Sequence, residues 1–108
     1  ENISPKEIEN YIGLNEKVSM VHVIGVKDKI LGEEICAWIQ LRPDQSMTKE
    51  EVVEYCKGKI AHYKIPKYIR FVDAFPMTST NKPQKNVMIE VSNEIIESGT
   101  ENLKVLKK

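Results

Sequence analysis

Val18-Ser19-Met20-Val21-His22-Val23-Ile24-Gly25-Val26-Lys27-Asp28-Lys29-Ile30-Leu31-Gly32-Glu33-Glu34-Ile35-Cys36-Ala37-Trp38-Ile39-Gln40-Leu41 reads as two strands and the turn that joins them. Val18 to Val26 is rich in β-branched residues and has no helical periodicity, which predicts a strand. Strict alternation puts Val18, Met20, His22, Ile24 and Val26 on one face and Val21 and Val23 on the other. Apolar residues on both faces predict a central strand covered on two sides. Lys27 to Glu33 reads as a turn in which Gly32 supplies a position of positive φ. Glu34 to Leu41 is the second strand, with Ile35, Ala37, Ile39 and Leu41 alternating against Cys36, Trp38 and Gln40. The short connector favours antiparallel pairing of the two.

Towards the N-terminus, Ser4-Pro5-Lys6-Glu7 is a helix start: Ser4 can cap, Pro5 suits the first helical position, and Glu7 completes a capping box. Ile3 and Ile8 stand at the staple positions, Ile8, Tyr11 and Ile12 form one apolar face, and Gly13 and Asn15 end the helix. Towards the C-terminus, Arg42 to Gln45 is a turn, and Thr48-Lys49-Glu50-Glu51 repeats the capping-box pattern. Val52, Val53, Cys56 and Ile60 predict a helix ending near Ala61, with Glu50, Glu54, Lys57 and Lys59 on its solvated face. His62 to Lys67 is a loop that Pro66 keeps extended, and Tyr68 to Phe75 is a third strand. Beyond the polar loop that follows, Pro83 starts a helix whose Val87, Met88, Val91, Ile95 and Ile96 face inward and which Gly99 ends. The order is α-β-β-α-β-α, an α+β fold in which helices pack on a small three-stranded sheet. Residues 1–98 form the domain, and 99–108 are expected to be a flexible tail.

At 108 residues, with 41% hydrophobic and 30% charged side chains, the chain is one ordinary globular domain. Its 16 basic and 16 acidic side chains cancel, so no global field favours nucleic acid. No apolar run approaches the roughly 20 residues of a membrane span. Cys36 and Cys56 lack metal-ligand spacing and read as buried, reduced thiols, which fits an intracellular compartment. His22 has no second ligand beside it and reads as a core or edge histidine. The abrupt opening on Glu1-Asn2-Ile3 reads as a piece of a longer polypeptide.

One segment does not fit a purely structural role. Pro76-Met77-Thr78-Ser79-Thr80-Asn81-Lys82-Pro83-Gln84-Lys85 crosses from strand to helix and carries Lys82 between two ordered elements, where a side chain can be aimed. Taken alone, a loop lysine is most often a solvated charge.

Five pieces of the chain occur together in one known family. They are Glu1-Asn2-Ile3-Ser4-Pro5-Lys6-Glu7-Ile8-Glu9, Val23-Ile24-Gly25-Val26-Lys27-Asp28, Gly32-Glu33-Glu34, Tyr63-Lys64-Ile65-Pro66-Lys67 and Pro76-Met77-Thr78-Ser79-Thr80-Asn81-Lys82. In this order and spacing the chain resembles the C-terminal domain of the adenylate-forming superfamily: acyl-CoA synthetases, luciferase-like enzymes and peptide-synthetase adenylation domains. Gly25-Val26-Lys27-Asp28, Gly32 to Ala37 and Cys56-Lys57-Gly58-Lys59-Ile60 look most like the medium-chain fatty acyl-CoA synthetase branch.

That resemblance implies an AMP-forming ligase of which this chain is the mobile lid, inactive by itself. A carboxylate, here of a fatty acid, attacks the α-phosphate of ATP with Mg2+, and the thiol of CoA then displaces AMP. Lys82 matches the adenylation lysine, within the motif loop of Pro76, Thr78, Thr80 and Asn81. Ser4 and Lys64 are the implied CoA contacts, Lys64 being equally readable as a surface lysine beside a strand. The implied partner is an N-terminal domain of the same chain, and the implied compartment is cytoplasmic, or mitochondrial in a eukaryote. Asn81 replaces the family's glycine, and Asn is the residue that best tolerates a left-handed backbone without being glycine. Pro83 replaces a β-branched residue and restricts Lys82 to extended conformations. A stand-alone interaction module and the aryl-CoA, luciferase-like and peptide-synthetase branches are the alternatives.

Overall fold

The alternation along residues 35–41 survives as two separate cores, one on each face of a sheet. A computed structural model describes residues 4–28, 30, 32–99 and 105–106. Helix α1 spans Pro5–Gly13, strand β1 Val18–Asp28, β2 Gly32–Leu41, helix α2 Lys49–Cys56, β3 Tyr68–Phe71 and helix α3 Lys85–Ser98. Ile35, Ala37 and Ile39 of β2 join Ile8, Ile12, Val52 and Cys56 beneath α1 and α2. Cys36 and Trp38, on the opposite face, join Met88, Ile95 and Ile96 of α3. Each strand is therefore sandwiched between helices, and the predicted α+β fold with a three-stranded sheet is the one observed.

Sheet order is β1-β2-β3, with β1 antiparallel to β2 and β3 parallel to it. The antiparallel pair is as expected, but β2 is the central strand and β1 lies at an edge. Burial on both faces of β1 reports the helices above and below it. It carries no information about hydrogen-bonding neighbours, and β3 takes the free side of β2. The outer edge of β1 is met by side chains: Val23 N–H donates to Glu9 Oε2 at 2.7 Å and Lys27 N–H to Asn93 Oδ1 at 2.9 Å. Such caps occupy the donors through which an edge strand would pair with another chain.

Four local expectations shift. Val18 pairs with Leu41 and Met20 with Gln40, so a bulge inserts an extra residue into β1. Val18 is thereby buried with Val21 and Val23, and Met20 is left 50% exposed. β1 runs on to Asp28 and β2 starts at Gly32, whose φ of 91° closes the turn, so the connection is only residues 29–31. Helix α2 stops at Cys56, because Lys57 turns extended with ψ of 131° and Gly58 follows at φ 75°. β3 stops at Phe71; Val72 N–H still donates to Ile39 O at 2.9 Å, after which the chain bends away.

Thr48 and Glu51 form the full predicted capping box, and Gly99 ends α3 at φ 74°. Cys36 and Cys56 are free and buried. Burial pushes their thiols up to about 12 and about 11 respectively, so neither is a thiolate near neutrality. Two residues of the predicted tail, Val105 and Leu106, are paired: Val105 bridges Ile69 in parallel, and Leu106 N–H donates to Ile69 O at 2.7 Å. Ile3, Lys29, Leu31 and the rest of the tail beyond Gly99 lie outside the described residues.

Candidate functional site

The segment from Pro76 to Gln84 folds into a small hairpin. Gln84 N–H donates to Pro76 O at 2.9 Å, Met77 bridges Pro83, and Thr78 N–H donates to Lys82 O at 2.8 Å. Asn81 N–H closes the tip onto Thr78 O at 2.9 Å. This is a three-residue loop, Ser79-Thr80-Asn81, whose last position must be left-handed for the strands to meet. Asn81 occupies it at φ 69°, the conformation that its place in the sequence requires.

The threonines hold this tip. Thr78 Oγ1 accepts the Lys82 N–H at 3.1 Å and lies 3.1 Å from Thr80 Oγ1. Pro83, expected to open the helix, instead belongs to the hairpin, and α3 begins at Lys85. Met77 and Pro83 form the pair between two hydrogen-bonded ones, where an N–H would point outward, so proline removes no ladder bond there. Lys82 is consequently fixed by its backbone, exposed, and its ammonium makes no hydrogen bond or ion pair with any described residue. A cation so held is available to an anion brought to it. Asn81→Gly is expected to leave stability within about 1 kcal/mol of the parent, and Asn81→Val to lose about 1–3 kcal/mol by forcing a β-branched residue to positive φ. Urea unfolding of both variants measures the difference.

Both legs of the hairpin are tied down just outside its closing pair. On one side the Phe75 ring packs edge-on against His22 of β1, with centroids 4.7 Å apart. On the other, Lys85 Nζ lies 2.7 Å from Glu9 Oε2 of α1, the oxygen that also accepts Val23 N–H. Burial holds the His22 imidazole below its ordinary 6.5; the Glu9 carboxylate raises it and the Lys85 ammonium lowers it again. A depressed imidazole binds fewer protons folded than unfolded, so its contribution to stability is complete above 6.5 and is lost as pH falls below it. The melting temperature is expected to decline through this window, and His22→Gln to flatten the decline.

Ser4 and Lys64 meet elsewhere, through Glu7. Ser4 Oγ caps α1 by accepting the Glu7 N–H at 3.4 Å, but the Glu7 carboxylate of the expected capping box is turned to Lys64 Nζ at 2.9 Å. Lys64 is thus paired within the domain. Among the described residues, no group of three or more His, Cys, Asp or Glu side chains is placed to hold a metal ion, and no helix is long and apolar enough to cross a membrane. The motif residues Pro76, Thr78, Thr80, Asn81 and Lys82 are brought together; Glu9, Lys85, His22 and Phe75 beneath them carry no sequence signal of that role, since Glu9 and Lys85 are 76 positions apart.

Comparison with known proteins places the chain in a family. Residues 7–82 match the family described as AMP-binding enzyme C-terminal domain. The chain is 51% identical over 90 residues to the mitochondrial medium-chain acyl-CoA ligase ACSF2 of Danio rerio, covering 83% of this chain and 15% of that protein. It is 45% identical over 95 residues to the putative acyl-CoA synthetase YngI of Bacillus subtilis, covering 88% and 17%. The crystal structure of apo MatB from Rhodopseudomonas palustris superposes with a TM-score of 0.84 at 33% identity, covering 89% of this chain and 19% of that one. The chain therefore spans less than a fifth of the length of these relatives.

Proposed function

From the chain's membership of the AMP-binding enzyme C-terminal domain family, we propose that it is the lid of an AMP-forming fatty acyl-CoA synthetase, with Lys82 as its adenylation lysine. The observation that carries this reading is the Lys82 ammonium, which pairs with none of the described residues, at the tip of a hairpin whose Thr78, Thr80 and Asn81 fix the backbone around it. The names of the ACSF2 relatives favour a medium-chain fatty acid and, in a eukaryote, the mitochondrion.

In the first step a carboxylate oxygen attacks the α-phosphorus of ATP, supplied with Mg2+, and the bond to pyrophosphate breaks. Two anions must approach, and charge grows on the phosphoryl oxygens as they react. A fixed ammonium in a water-excluded cleft between this lid and the N-terminal domain offsets that charge and orients the carboxylate. In the second step the CoA sulfur attacks the acyl carbon and AMP leaves. Lys82 has no role there, so rotation of the lid withdraws it and brings Ser4, at the start of α1, and the neighbouring Lys64 towards CoA. Lys64 would then exchange Glu7 for a CoA phosphate.

The full-length protein is expected to exchange pyrophosphate into ATP with medium-chain fatty acids and to form their CoA thioesters; this chain alone should do neither. Exchange with aryl or amino acids and none with fatty acids would replace the substrate assignment. No exchange with any carboxylic acid would overturn the ligase reading.

A further inference from the structure

The hairpin is short, and nothing in its own hydrogen bonds fixes its direction relative to the sheet. Besides the Gln40 Nε2 donation to Asp73 O at 2.6 Å, two contacts join its base to other elements, Phe75 on His22 and Lys85 on Glu9. The second is the more specific. Glu9 is only 17% exposed at its side chain, and one oxygen, Oε2, receives both the Val23 N–H and the Lys85 ammonium at 2.7 Å. Val23 adjoins His22, so Glu9 joins α1, the edge of β1 and the first residue of α3 at one point, directly beneath the hairpin.

We propose that Glu9 and Lys85 are positioning residues for adenylation: their ion pair aims the hairpin, and so Lys82, at the reacting anions. This rests on the reading of Lys82 given above. Neither residue touches substrate. Loss of the pair frees one leg of the hairpin while the ladder from Pro76 to Gln84 and the turn at Asn81 stay intact. A misdirected cation costs rate without loss of fold, because transition-state stabilisation depends on placement within fractions of an ångström.

Glu9→Gln keeps an oxygen acceptor for Val23 N–H and removes the charge that Lys85 meets, which makes it the variant that retains the fold. The test uses the full-length enzyme in two separate half-reactions, single-turnover formation of acyl-adenylate and thioester formation from supplied acyl-adenylate. Lys82→Ala serves as the reference. Glu9→Gln and Lys85→Met are each expected to slow adenylation about tenfold. The double variant should be no slower than either single one, and thioester formation should change less than about twofold. Lys85→Arg, which keeps the charge, should restore most of the rate. An equal fall in both half-reactions would reduce the pair to a structural contact and overturn the proposal. So would unchanged adenylation in Glu9→Gln and Lys85→Met alongside slowed adenylation in Lys82→Ala, with the function of Lys82 left standing. Unchanged adenylation in Lys82→Ala would remove the reading of Lys82 and this proposal with it.

Discussion

Lys82→Ala in the full-length enzyme is expected to slow acyl-adenylate formation by about a hundredfold or more, equivalent to roughly 3 kcal/mol of barrier. The magnitude follows from what the ammonium does in the proposed reaction. It is a single preorganised charge set against developing negative charge, and water cannot replace it in a closed cleft. Thioester formation from supplied acyl-adenylate should fall far less, because in the proposed reaction lid rotation has withdrawn the lysine by then. The domain itself should melt as the parent does, since the Lys82 side chain is exposed and its backbone supplies the hairpin bonds. Lys82→Arg should recover only part of the rate, because a planar guanidinium presents its charge over a fork and not at a point. Single-turnover kinetics with both half-reactions would measure this. Adenylation at the parent rate in Lys82→Ala would remove Lys82 from the mechanism.

Asp28→Ala is expected to be the most destabilising of the changes considered, at about 3–5 kcal/mol. The Asp28 side chain is only 2% exposed. Its Oδ1 accepts Lys67 Nζ at 2.8 Å and the Tyr68 hydroxyl at 2.6 Å, and its Oδ2 accepts Ile30 N–H at 3.0 Å. One carboxylate thus ties the end of β1 to the start of β3 across β2. Alanine would remove this acceptor from the buried Tyr68 hydroxyl and this counter-charge from Lys67, and each loss inside the fold carries a cost in free energy. For a domain of this size the melting temperature should drop by about 10–20 °C. Asp28→Asn keeps one acceptor oxygen for Lys67 and the Tyr68 hydroxyl while losing the acceptor for Ile30 N–H, and should lose less than alanine. A melting temperature for Asp28→Ala within about 2 °C of the parent would refute the account.

These two residues were legible to different degrees. Lys82 taken alone reads as a solvated loop charge, and the family resemblance singles it out; of the turn around it, only the tolerance of Asn81 for a left-handed backbone was legible locally. Asp28 reads from the chain only as part of a turn, since Lys67 and Tyr68 are some forty positions away. The same division runs through the fold. The capping box at Thr48 and the left-handed end of α3 at Gly99 depend on neighbours within one helical turn, and both were foreseeable. The early end of α2 was also written locally, in Gly58, whose positive φ a continuing helix could not accommodate.

The sequence by itself determined which segments are helix and strand, that β1 and β2 form an antiparallel pair, that both faces of the sheet are covered, and that Lys82 lies on a polar loop between two ordered elements. Period and turn chemistry are short-range properties, written in consecutive residues. Only the tertiary structure decided that β1 is an edge strand, that Pro83 belongs to the hairpin, that Glu7 turns to Lys64, and that Glu9 and Lys85 meet beneath Lys82. Each of those depends on which of several chemically suitable partners the packing of distant elements brings within reach. A carboxylate on a helix face can pair with any nearby cation, and only the sheet between α1 and α3 places Lys85 there.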